Sequence, residues 1–211
     1  MRTALRTAVG LALAVPLLAP ALPASASSTF MYRDRGSYAD TWFEGSGTPG
    51  GVSGNYSVGS LTFHSTDLAE GFVDTFSCAK GQTPWGDQNG RNACKQTGSY
   101  YAWSQGFSVT TGKGKGSAST YSGTVDLYDA MTQDGALVKA GVPFAVTLTP
   151  SGATSKSTYT NTFKDPVSGY TYRSRDTQVT SYATAQGSLD GVPAVDGSIG
   201  TYSSQGMERI S

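Results

Sequence analysis

Polar and apolar positions alternate with a period of two along most of this chain, and helical spacing is scarce. "SYADTWFE" (37–44) sets Tyr38, Asp40, Trp42 and Glu44 on one face and Ala39, Thr41 and Phe43 on the other. "GSLTFHS" (59–65) sends Leu61 and Phe63 one way and Ser60, Thr62 and His64 the other. "GFVDTFSC" (71–78) aligns Phe72, Asp74, Phe76 and Cys78, and "YYAWSQGFSV" (100–109) aligns Tyr101, Trp103, Gln105, Phe107 and Val109. "STYSGTVDLYD" (119–129) offers Tyr121, Val125 and Leu127, and "VPFAVTLT" (142–149) offers Val142, Phe144, Val146 and Leu148. Further segments of this kind run over 154–163, 169–175, 178–189 and 198–210. Each is rich in Thr, Tyr and Val, which suit a pleated, half-buried surface.

Turn chemistry supports the same reading. Asn-Gly at 89–90 and Asp-Gly at 134–135, 190–191 and 196–197 are tight-turn dipeptides. "GKGKG" (112–116) reads as a solvated hairpin tip rather than a phosphate loop, since the order G-x-x-x-x-G-K-[ST] is missing. Only "DLYDAMTQDGALVKAG" (126–141) has room for a helical turn. The expectation is an all-β chain, a single antiparallel β-sandwich or β-barrel domain of about ten strands, and the pattern fits both architectures. A faint tag, "GSLT" at 59, "GTVD" at 123 and "GSLD" at 187, recurs every 64 residues. With 27 glycines in the chain, recurrent strand-edge Gly accounts for it as readily as duplication does.

The first residues do not follow the alternation. "MRTALRTAVGLALAVPLLAPALPASASS" combines Arg2 and Arg6, an apolar stretch from Val9 to Leu18, and the small residues Ala24-Ser25-Ala26. That is the three-part pattern of a secretory signal peptide, expected to be cleaved near Ala26. Its apolar run is shorter than the roughly 20 residues that span a bilayer, and Pro16, Pro20 and Pro23 interrupt it. The expected product is a secreted, extracellular domain over residues 27–211 with no membrane span.

Composition alters the picture in two ways. Leu, Ile, Val and Phe supply only 28 of the 185 residues after position 26, a share that raises the question of disorder. Twelve Tyr, three Trp and a charge close to zero answer it, because disordered chains are usually poor in aromatics and strongly charged. Removing Arg2 and Arg6 from the fifteen Lys and Arg, against fifteen Asp and Glu, leaves a net charge of about −2. On that balance nucleic acid is not an expected partner.

Both cysteines lie in "CAKGQTPWGDQNGRNAC" (78–94), and in an extracellular chain Cys78 and Cys94 are expected to pair. A metal centre would need more soft ligands than a chain whose one histidine is His64 provides. The acidic turn bearing Asp126, Asp129 and Asp134 lacks the calcium-loop spacing and reads as a solvated turn. No metal and no cofactor is expected.

Catalytic motifs are weak. His64 with Ser65 and Asp67 lacks the nucleophile turn of a serine hydrolase. Glu44, Glu70 and Asp74 are the carboxylates from which a glycosidase-like pair would be drawn. Glu70 and Asp74 stand about 13 Å apart along one strand, so a pair would have to form across strands. Exposed aromatics are the better lead. Trp85 follows Pro84 in the disulfide loop with Gln82, Asp87, Gln88, Asn89 and Arg91 around it, and either presents a binding face or folds back as a cap. Trp42 and Trp103 form a competing strand surface. The sequence thus favours a noncatalytic extracellular binding or interaction protein, with polysaccharide or a cell-envelope component as ligand. A structural surface protein and a carboxylate hydrolase are the alternatives.

Overall fold

The computed structural model describes residues 28–64, 67–104, 106–113 and 117–210. The proposed signal peptide, Ser65, Gln105 and most of "GKGKG" lie outside them. The described chain is all-β, with nine strands in one antiparallel sheet: β1 (Ser28–Ser46), β2 (Tyr56–His64), β3 (Ala69–Ser77), β4 (Lys95–Ser104), β5 (Phe107–Thr111), β6 (Ser119–Asp129), β7 (Leu137–Lys164), β8 (Thr171–Leu189) and β9 (Val192–Ile210). Successive strands are neighbours except β4 and β5, β9 returns to β1, and β4 also pairs with β6 through Tyr100–Trp103 and Asp126–Asp129. The pairs therefore run in a closed circuit, with β4 and β5 laid end to end along β6.

The alternation read from the sequence sets the inside of this circuit. Ala39, Thr41 and Phe43 are buried, as are Leu61, Phe63, Val125, Leu127 and the set Val142, Phe144, Val146 and Leu148. All of these but the polar Thr41 join Ala69, Val73, Ala102, Ala183, Leu189 and Val192 in one cluster drawn from eight of the nine strands. Phe63 is its aromatic hub, with ring centroids 4.7 Å from Tyr121, 5.3 Å from Phe144 and 5.4 Å from Phe107.

Four expectations are corrected. Residues 126–141 carry no helix. Asp126–Asp129 closes β6, Leu137 opens β7, and the acidic turn is held by its own carboxylates, with Met131 N donating to Asp129 at 2.7 Å and Gly141 N to Asp126 at 2.8 Å. The face proposed for Tyr101, Trp103, Phe107 and Val109 breaks between β4 and β5. Tyr101 and Trp103 point outward, whereas Phe107 packs on the core, so the phase slips by one residue between the two strands. Asp196-Gly197 is no turn but lies inside β9, beside the register shift opposite Trp42 and Phe43. A Cβ on Gly197 would stand 2.6 Å from the Asp40 carbonyl, so close backbone approach requires the glycine. Finally, the segments 142–149 and 154–163 are one 28-residue strand, and 169–175 and 178–189 are likewise one.

The Asp190-Gly191 turn is as expected. With φ of 44° and 86°, the two residues join β8 to β9 directly, in the left-handed conformations that a two-residue hairpin needs. Of the glycines in the 64-residue tag, Gly59 and Gly123 both stand opposite core phenylalanines, Phe43 and Phe144, while Gly187 differs, with φ +120°.

Strands β1, β7, β8 and β9 run well past the closed circuit as a four-stranded extension over residues 28–37, 154–164, 171–181 and 201–210. Tyr32, Tyr202 and Tyr38 here stand directly opposite Gly206, Gly36 and Gly200, and each ring lies where the glycine's Cβ would be. Rings laid across glycines supply the cover that glycine lacks.

Candidate functional site

The outward-facing positions of β1–β4 and β6 fall into register rows. Trp42, Ser60, Phe72, Tyr101 and Tyr128 are directly opposite one another across five strands, so their side chains share the outer face. The next row is Asp40, Thr62, Glu70, Trp103 and Asp126, and on the other side lie Glu44, Val58, Asp74 and Ser99. A row dominated by aromatics is thus bordered on both sides by carboxylates. Trp42 meets Phe72 edge to face at 5.7 Å, while Tyr101 is 61% and Trp103 41% exposed.

The carboxylates have defined partners. Asp40 accepts hydrogen bonds from Thr62 Oγ1 at 2.7 Å and Ser198 Oγ at 3.2 Å. Glu44 accepts from the Tyr56 hydroxyl at 3.0 Å, and Glu70 lies 3.0 Å from His64 Nε2. Partial burial, reinforced by the Glu44 bond, pushes the Tyr56 phenol above its ordinary pKa, so the hydroxyl stays a donor. Glu44 and Asp74 flank Val58, and Asp40 and Glu70 flank Thr62, so each pair is separated by two strand spacings, about 10 Å between backbones. The Asp40 row opens at its Trp103–Asp126 end into a groove of about 490 Å³ lined by Trp103, Ser104, Gly106, Thr124, Asp126 and Tyr128. Its opposite end opens into a second, of about 340 Å³, between Tyr38, Asp40, Thr62, His64, Gln178 and Tyr202.

The disulfide loop lies on this same outer face. Cys78 and Cys94 are bonded, with Cα atoms 4.6 Å apart. Cys94, Val58 and Phe76 form a second small cluster, with Trp42, Tyr56 and Cys78 packed against it. Trp85 meets Phe76 edge on at 6.2 Å yet remains 61% exposed, so it rests on the sheet with much of its ring in solvent. Asp87 is committed to the loop's own turn, its Oδ1 accepting from Asn89 N at 2.9 Å and Arg91 N at 2.8 Å. Gln88, Asn89 and Arg91 are exposed beyond it.

All three tryptophans therefore share one face, as do Glu44, Glu70 and Asp74. The sequence reading left Phe72, Tyr101 and Tyr128 outside the site, because cross-strand register is not visible in a single strand's alternation. It also missed Asn55, whose side chain clamps the loop's start, donating to Cys78 O at 2.9 Å and accepting from Cys78 N at 2.8 Å. Among the described residues no helix is long and apolar enough to cross a membrane. No protein-family model, curated protein or solved structure matches this chain, and its function is therefore argued from this surface alone.

Proposed function

We propose that this protein is an extracellular, noncatalytic binding protein whose outer aromatic face takes a polysaccharide of the cell envelope or its surroundings. The observation that carries the reading is the register row Trp42, Phe72, Tyr101 and Tyr128 bordered by Asp40, Glu70 and Asp126. A sugar ring offers an apolar C–H face and a rim of hydroxyls. Aromatic rings accept the first, and carboxylates and Thr or Ser hydroxyls hold the second. Trp103 and Tyr101 are the exposed stacking rings and Trp85 extends the face at its disulfide end. The Cys78–Cys94 bond supports the extracellular assignment, since disulfides persist in oxidising compartments.

The test is co-sedimentation of the protein with insoluble polysaccharides: cellulose, chitin and peptidoglycan. At least one should retain it, and Tyr101→Ala and Trp103→Ala should each weaken retention by about tenfold, the scale of one lost aromatic contact of about 1.4 kcal/mol. Both rings are exposed, so the fold is expected to survive. Retention of both variants at wild-type strength, or no retention of the wild type on any of the three, overturns the proposal.

A further inference from the structure

The four-stranded extension sorts its charges by sign. Met31, Arg33, Arg35 and Ser37 share the face that, farther along β1, carries Ala39, Thr41 and Phe43 into the core. Register places Gln205 and Met207 of β9 and Arg173 and Arg175 of β8 on that same face. Arg209, Lys156 and Lys164 join them through the pairs Thr29–Arg209, Lys156–Val179 and Lys164–Thr171. No carboxylate of the extension lies on this face. Asp34, Asp176 and Glu208 all lie on the other, among Tyr32, Tyr172, Tyr202 and Tyr159.

Two further observations bear on what this face does. All seven cations are exposed, and none forms an ion pair among the described residues. The face is also concave, enclosing a trough of about 620 Å³ floored by Gln205 and Met207 and walled by Arg33 on one side and Arg173 and Arg175 on the other. Edge protection, the usual reason for Lys and Arg on outer strands, fits Arg33, Arg35, Lys156 and Lys164 on the free edges of β1 and β7. It does not fit Arg173, Arg175 and Arg209, which lie on the two inner strands, nor does it require one face. Like charges crowded onto one side repel one another, and a multivalent anion relieves that repulsion.

The geometry points to a second binding site, independent of the aromatic face: the concave cationic side of the extension binds a polyanion whose sulfate or phosphate groups repeat along an extended chain. Arginines two apart on β1 or β8 stand about 6.7 Å apart, and those two strands are about 9.6 Å apart across β9, a double row of guanidiniums with a channel between. Guanidinium forks match tetrahedral oxyanions. The charge of about −2 beyond Arg2 and Arg6 averages over the whole surface and hides this segregation.

The probes are heparin, which supplies sulfate, and long-chain inorganic polyphosphate, with affinity measured against NaCl concentration. Binding of one or both is expected, and which of the two binds distinguishes the sources. Replacing Arg33, Arg35, Arg173 and Arg175 together by Gln should weaken affinity at least tenfold and lower the log–log salt slope by about 3, on the single-strand counterion-release scale. Replacement by Lys should restore most of the binding. Single Arg33→Gln and Arg175→Gln variants, each lowering the slope by about 0.7, serve if the quadruple variant does not fold. Substituting Asp34, Asp176 and Glu208 by their amides should leave binding intact. The inference is overturned if neither probe binds at low salt, or if the Gln variants bind as the wild type does. It is equally overturned if sedimentation shows self-association that the amide variant abolishes, which would make the occupant a second copy of this chain.

Discussion

Asp165 shows how much local order a single side chain imposes at the tip of the longest hairpin. It sits where β7 turns into β8, accepts a hydrogen bond from Val167 N at 2.9 Å, and also binds the Ser168 hydroxyl. The Ser168 bond first, and the Val167 amide second, hold its carboxyl below the usual carboxylate range. A depressed pKa in the folded state means that the ionised form is the one the fold favours. Its contribution is complete above the unfolded value near 3.9 and disappears as pH falls through the lower folded value. Carbon-detected NMR titration should therefore place the Asp165 midpoint below that of an ordinary Asp, and Ser168→Ala should move it upward. A wild-type midpoint at or above the ordinary value would show that the turn is not built on this carboxylate. The sequence segments already break at this turn, between 163 and 169, and its Gly169 takes φ +69° after Ser168.

Among the elements, the disulfide loop has the most to explain, because it lacks the aliphatic residues that hold a loop down and yet stays on the sheet. Three anchors account for it: the Cys78–Cys94 bond, the Asn55 clamp on Cys78, and Pro84, which is buried beside exposed Trp85. The bond closes a segment with a sequence separation of 16, for which the chain-entropy model gives about 3 kcal/mol. Reduction should thus lower the melting temperature clearly. Trp85→Ala should lower it by much less, since the ring makes one edge contact and is mostly in solvent, while weakening polysaccharide retention. A melting temperature that falls as far in Trp85→Ala as on reduction, with retention unchanged, would make Trp85 a cap over Phe76. The Cys78–Cys94 pairing and the loop's place at the surface were readable from the sequence, from the cysteine count and the scarcity of aliphatics, whereas the sequence left Trp85 open between binding face and cap. The inner faces of β1, β2, β6 and β7 were readable too, since each strand carries its own alternation. Closure of the circuit was not, because β4 and β5 pair with β6 in registers one residue apart, a difference that no local signal marks. The aromatic row escaped for the same reason: Trp42 and Tyr101 meet through three registers, none written in either strand.

At the scale of the molecule, the sheet has two parts with opposite reasons for being stable. In the closed part every strand except the short β5, which pairs with β6 alone, has two neighbours, and one face packs on the cluster around Phe63. In the extension the strands continue, but both faces meet solvent: Phe30, Met31, Tyr159 and Phe163 are each more than half exposed, and among the described residues there only Ser174 is buried. Apolar burial, at about 25 cal/mol per Å², therefore stabilises the first part and adds little to the second, which relies on ladder hydrogen bonds, Tyr–Gly packing and continuity with the core. Local opening should follow that division. Amide hydrogen exchange, read by mass spectrometry, should be slowest in peptides covering 61–63, 125–127 and 144–148. It should be faster by orders of magnitude over 158–163 and 173–178, although the same strands β7 and β8 run through both parts. Heparin or polyphosphate should slow exchange in the extension and leave the closed part unchanged, because a ligand protects the segment whose opening would release it. Equal protection of both parts in the free protein would mean that the extension is already covered, by a second copy or by a tightly held ligand.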